Sequence, residues 1–345
     1  MTFNAQLRRQ KSAAFDLPTN STAGRTVSFD LWGRPVRVYA NANLSIYSAQ
    51  TCNARCPFCV EELRPASRGA ELARQKTVER DDGRYFTQLE RVLVALGPLA
   101  PTVSVTGGEP SLDPRLPAIL RLLADHDAHL KKRTLTTNGS GLLEVRQGRR
   151  VLDWIIESGV RHLNISLAHP DPERNAVLMQ LPHGLSLSEL REVVSQARAG
   201  GTRVRLSCVL VQGAIDSLDG IRRYLDFAAG LGVDNVIYRQ LMKTDSAAHT
   251  VNHVIRFSDS RRVFLEPLLL ALGRDTDFTF CKQIVGYYYY VEVWRYGSLD
   301  VVFEEADLAQ LETAKHADPE VIHELVFHPN AELASTWQPW DGVLS

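Results

Sequence analysis

Cysteine is scarce in this chain, and an excess of charge is absent. The 345 residues include five cysteines, three of which, Cys52, Cys56 and Cys59, fall within eight positions. So thin a supply points to metal binding or catalysis before disulfides. Lysine and arginine number 39 against 40 aspartates and glutamates, a formal net charge of −1. No bulk electrostatic attraction follows, so neither nucleic acid nor membrane is an expected partner. No run reaches the roughly 18 apolar residues of a membrane span. The opening MTFNAQLRRQKSAAF lacks the apolar core of a signal peptide. The expected location is cytoplasmic. No segment is low-complexity, and no internal repeat is visible. What is present is a hydrophobic fraction of 44%, which suits a globular chain of one large domain or two ordinary ones.

Residues 1–25 are polar and read as a mobile arm, and 26–40 as a β-hairpin around Trp32-Gly33-Arg34-Pro35. A rhythm then sets in. Strand-like runs at 44–49, 101–110, 132–140, 160–170, 202–213 and 233–241 alternate with helix-like stretches such as 116–126, 151–159, 187–201 and 218–232. Six such units predict an α/β fold, a parallel sheet covered by helices. Six fall short of the eight of a closed barrel, so a partial (β/α)6 TIM-like barrel is expected. Right-handed crossovers put every strand C-terminus on one rim. The cysteine loop, TGGEP, TTNGS, SLAHP, VLVQG and YRQLM all follow strand ends. After about residue 255 the pattern turns β-rich, with two strands around Tyr296-Gly297-Ser298 and another over 321–330. The expected organisation is an arm and hairpin over 1–42, the barrel over 43–242, and a C-terminal substrate-capping extension over 243–345.

TCNARCPFC offers three thiolates from one short loop. Disulfides, zinc, an iron–sulfur cluster and a chance cluster of small hydrophobes are the alternatives. Structural zinc usually takes four protein ligands from two separated pairs, and no second pair exists here. A cubane cluster is held by thiolates, and three of them leave one iron open.

The loop resembles the CxxxCxΦC motif of the radical S-adenosylmethionine (radical SAM) superfamily, with Phe58 in the aromatic position. Three further stretches support the resemblance, in order and at successive strand ends: Gly107-Gly108-Glu109-Pro110, Thr137-Asn138-Gly139 and Asn164-Ile165-Ser166-Leu167. It covers about residues 43–242. The resemblance implies a [4Fe–4S] cluster on Cys52, Cys56 and Cys59 at the barrel mouth. It also implies SAM on the open iron, and reductive cleavage to a 5′-deoxyadenosyl radical that abstracts a hydrogen atom from substrate. Gly107 and Gly108 would let backbone approach the methionyl group. Glu109, or the backbone beside it, would meet the ammonium. Asn138 and Ser166 could bond ribose or carboxylate. Arg205, with Arg203 as an equal alternative, would pair with the carboxylate, and Val209 to Val211 would pack on adenine. The bland readings are a common turn for Asn138-Gly139, a backbone-bonded hydroxyl for Ser166, a core thiol for Cys208, and solvated faces for Lys131 to Arg133 and for the patch from His316 to His323.

Only Cys208 and Cys281 remain beyond the motif, which excludes the cysteine-rich auxiliary-cluster domain of many peptide-modifying members. About 43 residues before the barrel leave no room for a B12-binding domain. One cluster and one radical event are expected. Aromatic and polar groups of the C-terminal region, Tyr287 to Tyr290, Trp294, Arg295, Glu304 and Glu305, suit a small polar metabolite of sugar-, nucleoside- or amino-acid type. Decarboxylation, elimination, epimerisation and dehydrogenation all begin with the same abstraction. The candidate proton donors are Cys281, Glu304 and Tyr238. The electron would come from a donor such as flavodoxin or ferredoxin. A peptide- or protein-modifying radical SAM enzyme and a non-catalytic iron–sulfur protein are the alternative readings.

Overall fold

The computed structural model describes residues 19–21, 26–39, 43–48, 51–63, 78–244, 253–286 and 288–344. The expected arm falls outside these residues, apart from the three of strand β1 (Thr19–Ser21), and so does Tyr287. Strands β2 (Thr26–Leu31) and β3 (Arg34–Tyr39) pair antiparallel as the expected hairpin. Trp32 and Gly33 both take positive φ, 54° and 83°, which gives a two-residue turn of the twist that hairpins favour.

The six strands of the repeating units follow in chain order: β4 (Leu44–Tyr47), β5 (Thr102–Thr106) and β6 (Lys132–Thr137), then, after a small ribbon of β7 (Val145–Arg146) and β8 (Arg149–Arg150), β9 (His162–Ser166), β10 (Arg203–Leu210) and β11 (Asn235–Gln240). They lie side by side, all parallel. Helices between them carry the expected signals. Ser186 and Glu189 form a reciprocal capping box at the start of Leu187–Ala199, and Gly232, at φ 80°, closes Leu218–Leu231. Helix Asp82–Leu96 buries Tyr85, Leu89, Val92, Leu93 and Leu96, one stripe of its surface.

The chain after 243 continues the same sheet. Strands β12 (Phe278–Val285), β13 (Tyr289–Tyr296) and β14 (Leu299–Ala306) form an antiparallel meander, and β14 pairs parallel with β11. The stretch 321–330, expected as one strand, is two. β15 (Val321–Ile322) pairs with β3, while β16 (Leu325–Phe327) pairs parallel with β4 and then with β17 (Leu333–Ala334). The break at His323-Glu324 lets one short stretch serve two sheets. The C-terminal region thus covers both edges of the six-stranded core, which would otherwise expose unpaired backbone. Two helices, His253–Arg261 and Leu265–Leu272, precede the meander.

Alternation along each strand separates two faces. Leu44, Ile46, Val103, Val105, Leu135, Leu163, Ile165, Val204, Leu206 and Val236 are buried against the helices. The opposite face is polar and only partly covered: Ser45, Ser104, Thr136, Asn164, Ser166 and Arg205. A closed TIM barrel fills this space with large branched side chains. Here the inner wall is lined for solvent or a polar ligand, and the fold is an open α/β barrel with a β-rich C-terminal extension.

Candidate active site

The cysteine loop follows β4 in the chain. Cys59 donates its backbone N–H to the Cys56 carbonyl at 3.1 Å, which curls the loop. The Cys56 thiol donates to the Met179 carbonyl at 3.3 Å, and Cys56, Phe58 and Ala54 pack on Ala168, Met179 and Leu181. Phe58 also faces the Phe257 ring, centroids 6.2 Å apart. Burial, and then the neighbouring Cys59 and Cys52, push the Cys56 thiol up to about 12. Burial raises the Cys52 thiol too, against the Ala54 N–H, 3.4 Å from its sulfur, and the Asn138 side-chain amide, 3.9 Å away. Three neighbouring cysteines whose thiolates would crowd negative charge at Cys56, with N–H donors aimed at the Cys52 sulfur, suit a cationic iron core, which stabilises the thiolates. Among the described residues no three His, Cys, Asp or Glu side chains gather for a single metal ion. A cubane cluster spreads its thiolates over different irons.

The turn after β5 sits against this loop. Gly107 and Gly108 have φ of 87° and 56°. A Cβ on Gly107 would lie 2.6 Å from the Tyr47 ring, so only glycine fits. The Glu109 N–H donates to the Thr51 carbonyl at 2.9 Å, tying the turn to the cysteine loop. The Glu109 side chain is 1% exposed. Its carboxylate accepts from the Ser111 N–H at 3.0 Å, the Ser111 hydroxyl at 2.6 Å, the Asn138 N–H at 2.6 Å and the Thr137 hydroxyl. Burial pushes the Glu109 carboxyl above its ordinary value, and these donors oppose the rise. The carboxylate expected to meet SAM is therefore engaged by the chain's own donors. What remains open at this turn is backbone, the alternative reading for the ammonium contact. Asn138 also faces the cysteine loop, with its amide donating to Asn53 Oδ1 at 2.8 Å and its Oδ1 accepting from the Ser140 N–H at 3.0 Å.

Along the inner wall, Ser166 at the upper end of β9 stands in register with Ser207, midway along β10. Arg239 bridges this region, donating to Ser207 Oγ at 2.6 Å and to Glu304 Oε1 at 3.0 Å. Glu304 lines a cavity of about 270 Å3 with Ser45, Tyr288, Tyr289, His323 and Trp337. That cavity joins the β4 edge to β13 and β14 across the opening of the barrel. Val211 is buried at the end of β10.

Several expected positions lie elsewhere. Tyr238 points away from the inner wall: it is fully buried, its hydroxyl donates to the Ile221 carbonyl at 3.1 Å, and its ring packs on Tyr224 and Phe303. Alternation decides this, because Arg239 takes the inward position. Cys281 is exposed at a bulge in β12, two strands beyond β14, away from the other cysteines. Arg205 donates from Nε to Asn235 Oδ1, at the lower end of β11, and Arg203 reaches Asp300 at 3.4 Å. Arg203 and Arg205 are the first and third residues of β10, which sets both towards the floor, away from the cysteine loop. Cys208 is a buried core thiol. Sequence reasoning missed Tyr47, which backs Gly107 and stacks on His328 with Trp337 at its edge. Its one signal was an aromatic at the inward-facing end of the first strand.

Comparison with known proteins agrees with this geometry. The radical SAM superfamily matches residues 46–227, more than half of the chain. The GTP 3′,8-cyclase of Pseudomonas fluorescens is 31% identical over 166 residues, 48% of this chain and 44% of that protein. The GTP 3′,8-cyclase of Aquifex aeolicus is 28% identical over 204 residues, 59% of this chain and 56% of that protein. The chain thus spans about half the length of the curated relatives it matches. Among solved structures, Streptococcus suis SuiB bound to S-adenosylmethionine is 18% identical at a TM-score of 0.42, covering 68% of this chain and 43% of its own. Coproporphyrinogen III oxidase (HemN) of Escherichia coli is 14% identical at a TM-score of 0.40, covering 74% and 67%. With the four strand-end motifs meeting at one rim and the family match spanning residues 46–227, this chain belongs to the radical SAM superfamily, an enzyme of [4Fe–4S] cluster and SAM.

Proposed function

We propose that this radical SAM enzyme acts on a small nucleoside- or nucleotide-like metabolite in a biosynthetic reaction that begins with hydrogen abstraction. The observation that carries this reading is the polar inner wall that ends in an aromatic-lined cavity of about 270 Å3 beside Glu304. Aromatic faces next to hydrogen-bonding groups suit a base and a sugar. The relatives named GTP 3′,8-cyclase support a nucleotide class of substrate.

In this reading Cys52, Cys56 and Cys59 hold the cluster, and the Gly107-Gly108 backbone and Ser166 border SAM, with Phe58 and Val211 flanking. When bound, the cluster and SAM supply a one-electron cleavage that yields the abstracting radical. The chain's own share is positional. Glu109 fixes the turn against the cysteine loop, Asn138 braces Cys52, and Arg239 holds Glu304 at the cavity wall. Glu304 is the candidate proton donor or acceptor that the fold leaves facing a cavity. The reductant is a one-electron donor such as flavodoxin or ferredoxin.

The test is 5′-deoxyadenosine formation by anaerobically reconstituted protein with SAM and a strong reductant, across nucleosides, nucleotides, sugars, amino acids and peptides. Acceleration by a nucleoside or nucleotide, with its conversion seen by mass spectrometry, is the expected result. Acceleration by peptides alone would overturn the reading.

A further inference from the structure

Among the described residues, only one of the basic groups on the barrel floor, Arg203, pairs with a carboxylate. Strand register places Lys132 at the lower end of β6, His162 at that of β9, and Arg203 and Arg205 on β10 in register with His162 and Asn164. Arg161 precedes His162. Arg203 shares one carboxylate, Asp300, with Arg295, at 3.4 and 2.9 Å. Lys132, Arg161 and His162 bond no other side chain among the described residues, and Arg205 bonds only Asn235 through Nε. The two terminal amino groups of the Arg205 guanidinium thus remain available, though the side chain is largely buried.

Such crowding of like charge around few carboxylates is unfavourable, and the ordinary pKa values bend to it. Burial, then Arg205, Lys132, Arg203 and Arg161, hold His162 down at about 4. Burial, then Arg239, hold Arg205 down at about 10, against the pull of Glu304 and Asp300. Beside these groups, a cavity of about 240 Å3 opens at the lower ends of the strands; Lys131, Lys132 and Arg161 line it, with Asp127 already paired to Arg133, while His162, Arg203 and Arg205 lie outside its lining.

We infer that the barrel floor binds a phosphate or polyphosphate group, held by Lys132, His162 and Arg205 with Arg203 and Arg161 beside it. A monocarboxylate would neutralise one of these cations, whereas a polyphosphate answers several at once and matches the guanidinium fork. Length also fits. From Ser166 at the rim to His162 at the floor is four residues of strand, about 13 Å. A nucleotide with its base at the cavity by the rim would lay its phosphates on this floor. The inference rests on the reading above only for the source of the phosphate; free polyphosphate is the other source.

His162 supplies a second readout. It faces Lys132 and Thr134 on β6, Arg203 and Arg205 on β10, and Arg161 in the preceding loop. An imidazole held near 4 is neutral in the free protein, and a bound polyanion favours its protonation, so binding takes up a proton around pH 6.

The experiment is calorimetric titration of reconstituted protein with tripolyphosphate, a nucleoside triphosphate and the matching nucleoside. Wild type, Arg205→Gln, Lys132→Gln and His162→Gln are compared, with melting temperatures confirming that each is folded. Expected are tripolyphosphate binding that weakens at least tenfold in Arg205→Gln and in Lys132→Gln, and proton uptake at pH 6 that His162→Gln abolishes. Absence of tripolyphosphate binding to wild type, or wild-type affinity retained in both cation variants, would overturn the inference. If tripolyphosphate binds as expected but nucleoside triphosphate neither competes nor accelerates 5′-deoxyadenosine formation, the floor site stands and the nucleotide reading falls. If nucleotide accelerates turnover with an affinity blind to the variants, the nucleotide reading stands and the floor site falls.

Discussion

Glu109→Ala separates two roles for the acidic residue of the GGE turn. If Glu109 served only to meet the SAM ammonium, its loss would weaken SAM binding and leave the free protein alone. The structure predicts otherwise. Four donors end on this carboxylate, from Ser111 (twice), Thr137 and Asn138, inside a site 1% exposed. A hydrogen bond to a charged group is worth about 1.5–3 kcal/mol, and a buried donor left bare costs about 1–3 kcal/mol. The bonds are not independent, and removing a carboxylate that burial already disfavours recovers part of the loss. A net destabilisation of about 2–4 kcal/mol follows, at the upper end of ordinary single substitutions. The Asn138 backbone would move with it, and Asn138 is the amide neighbour of Cys52. Chemical unfolding of the cluster-free protein, together with iron and sulfide content after reconstitution, reads both effects. Glu109→Gln keeps one acceptor but sets an amide donor against the Asn138 N–H, so it falls between. Wild-type stability and full iron loading in Glu109→Ala, with SAM affinity alone reduced, would refute this reasoning and return Glu109 to direct ligand contact.

Other expectations follow from single contacts. Tyr238→Phe removes one buried hydroxyl bond, costs about 1 kcal/mol of stability, and leaves 5′-deoxyadenosine formation unchanged; a large loss of activity in a folded variant would restore Tyr238 to the reaction. Gly107→Ala forces a β-carbon towards the Tyr47 ring at positive φ, a cost of about 2–4 kcal/mol from strain and overpacking together, read by the shift in denaturation midpoint. Cys56→Ser abolishes cluster assembly, measured as iron per chain and the visible absorption band, while far-ultraviolet circular dichroism keeps its shape. Stability that depends on His162 is present above its unfolded pKa, about 6.5, and is lost as pH falls towards the folded value near 4; a pH series of unfolding midpoints for wild type and His162→Gln checks it, and identical slopes would count against a half-buried neutral imidazole.

The sequence alone determined the chemistry at the rim. Cysteine spacing, paired glycines, Asn-Gly and the β/α alternation are local signals, because a turn must follow each strand and parallel strands put all their ends together. The six-stranded core and the hairpin were legible for the same reason. Period-2 alternation was also in the sequence, but which parity faced inward was not. Tertiary packing decided it, sending Tyr238 into the helix-side core and Arg239 to the wall. Register between parallel strands, invisible in one dimension, set Arg205, the third residue of β10, beside Asn235 and assembled the cationic floor from β6, β9 and β10. The pairing of β14 with β11 and of β16 with β4 is likewise a contact across long sequence separations. Composition gave a β-rich C-terminal region; only packing made it the two covered edges of the barrel.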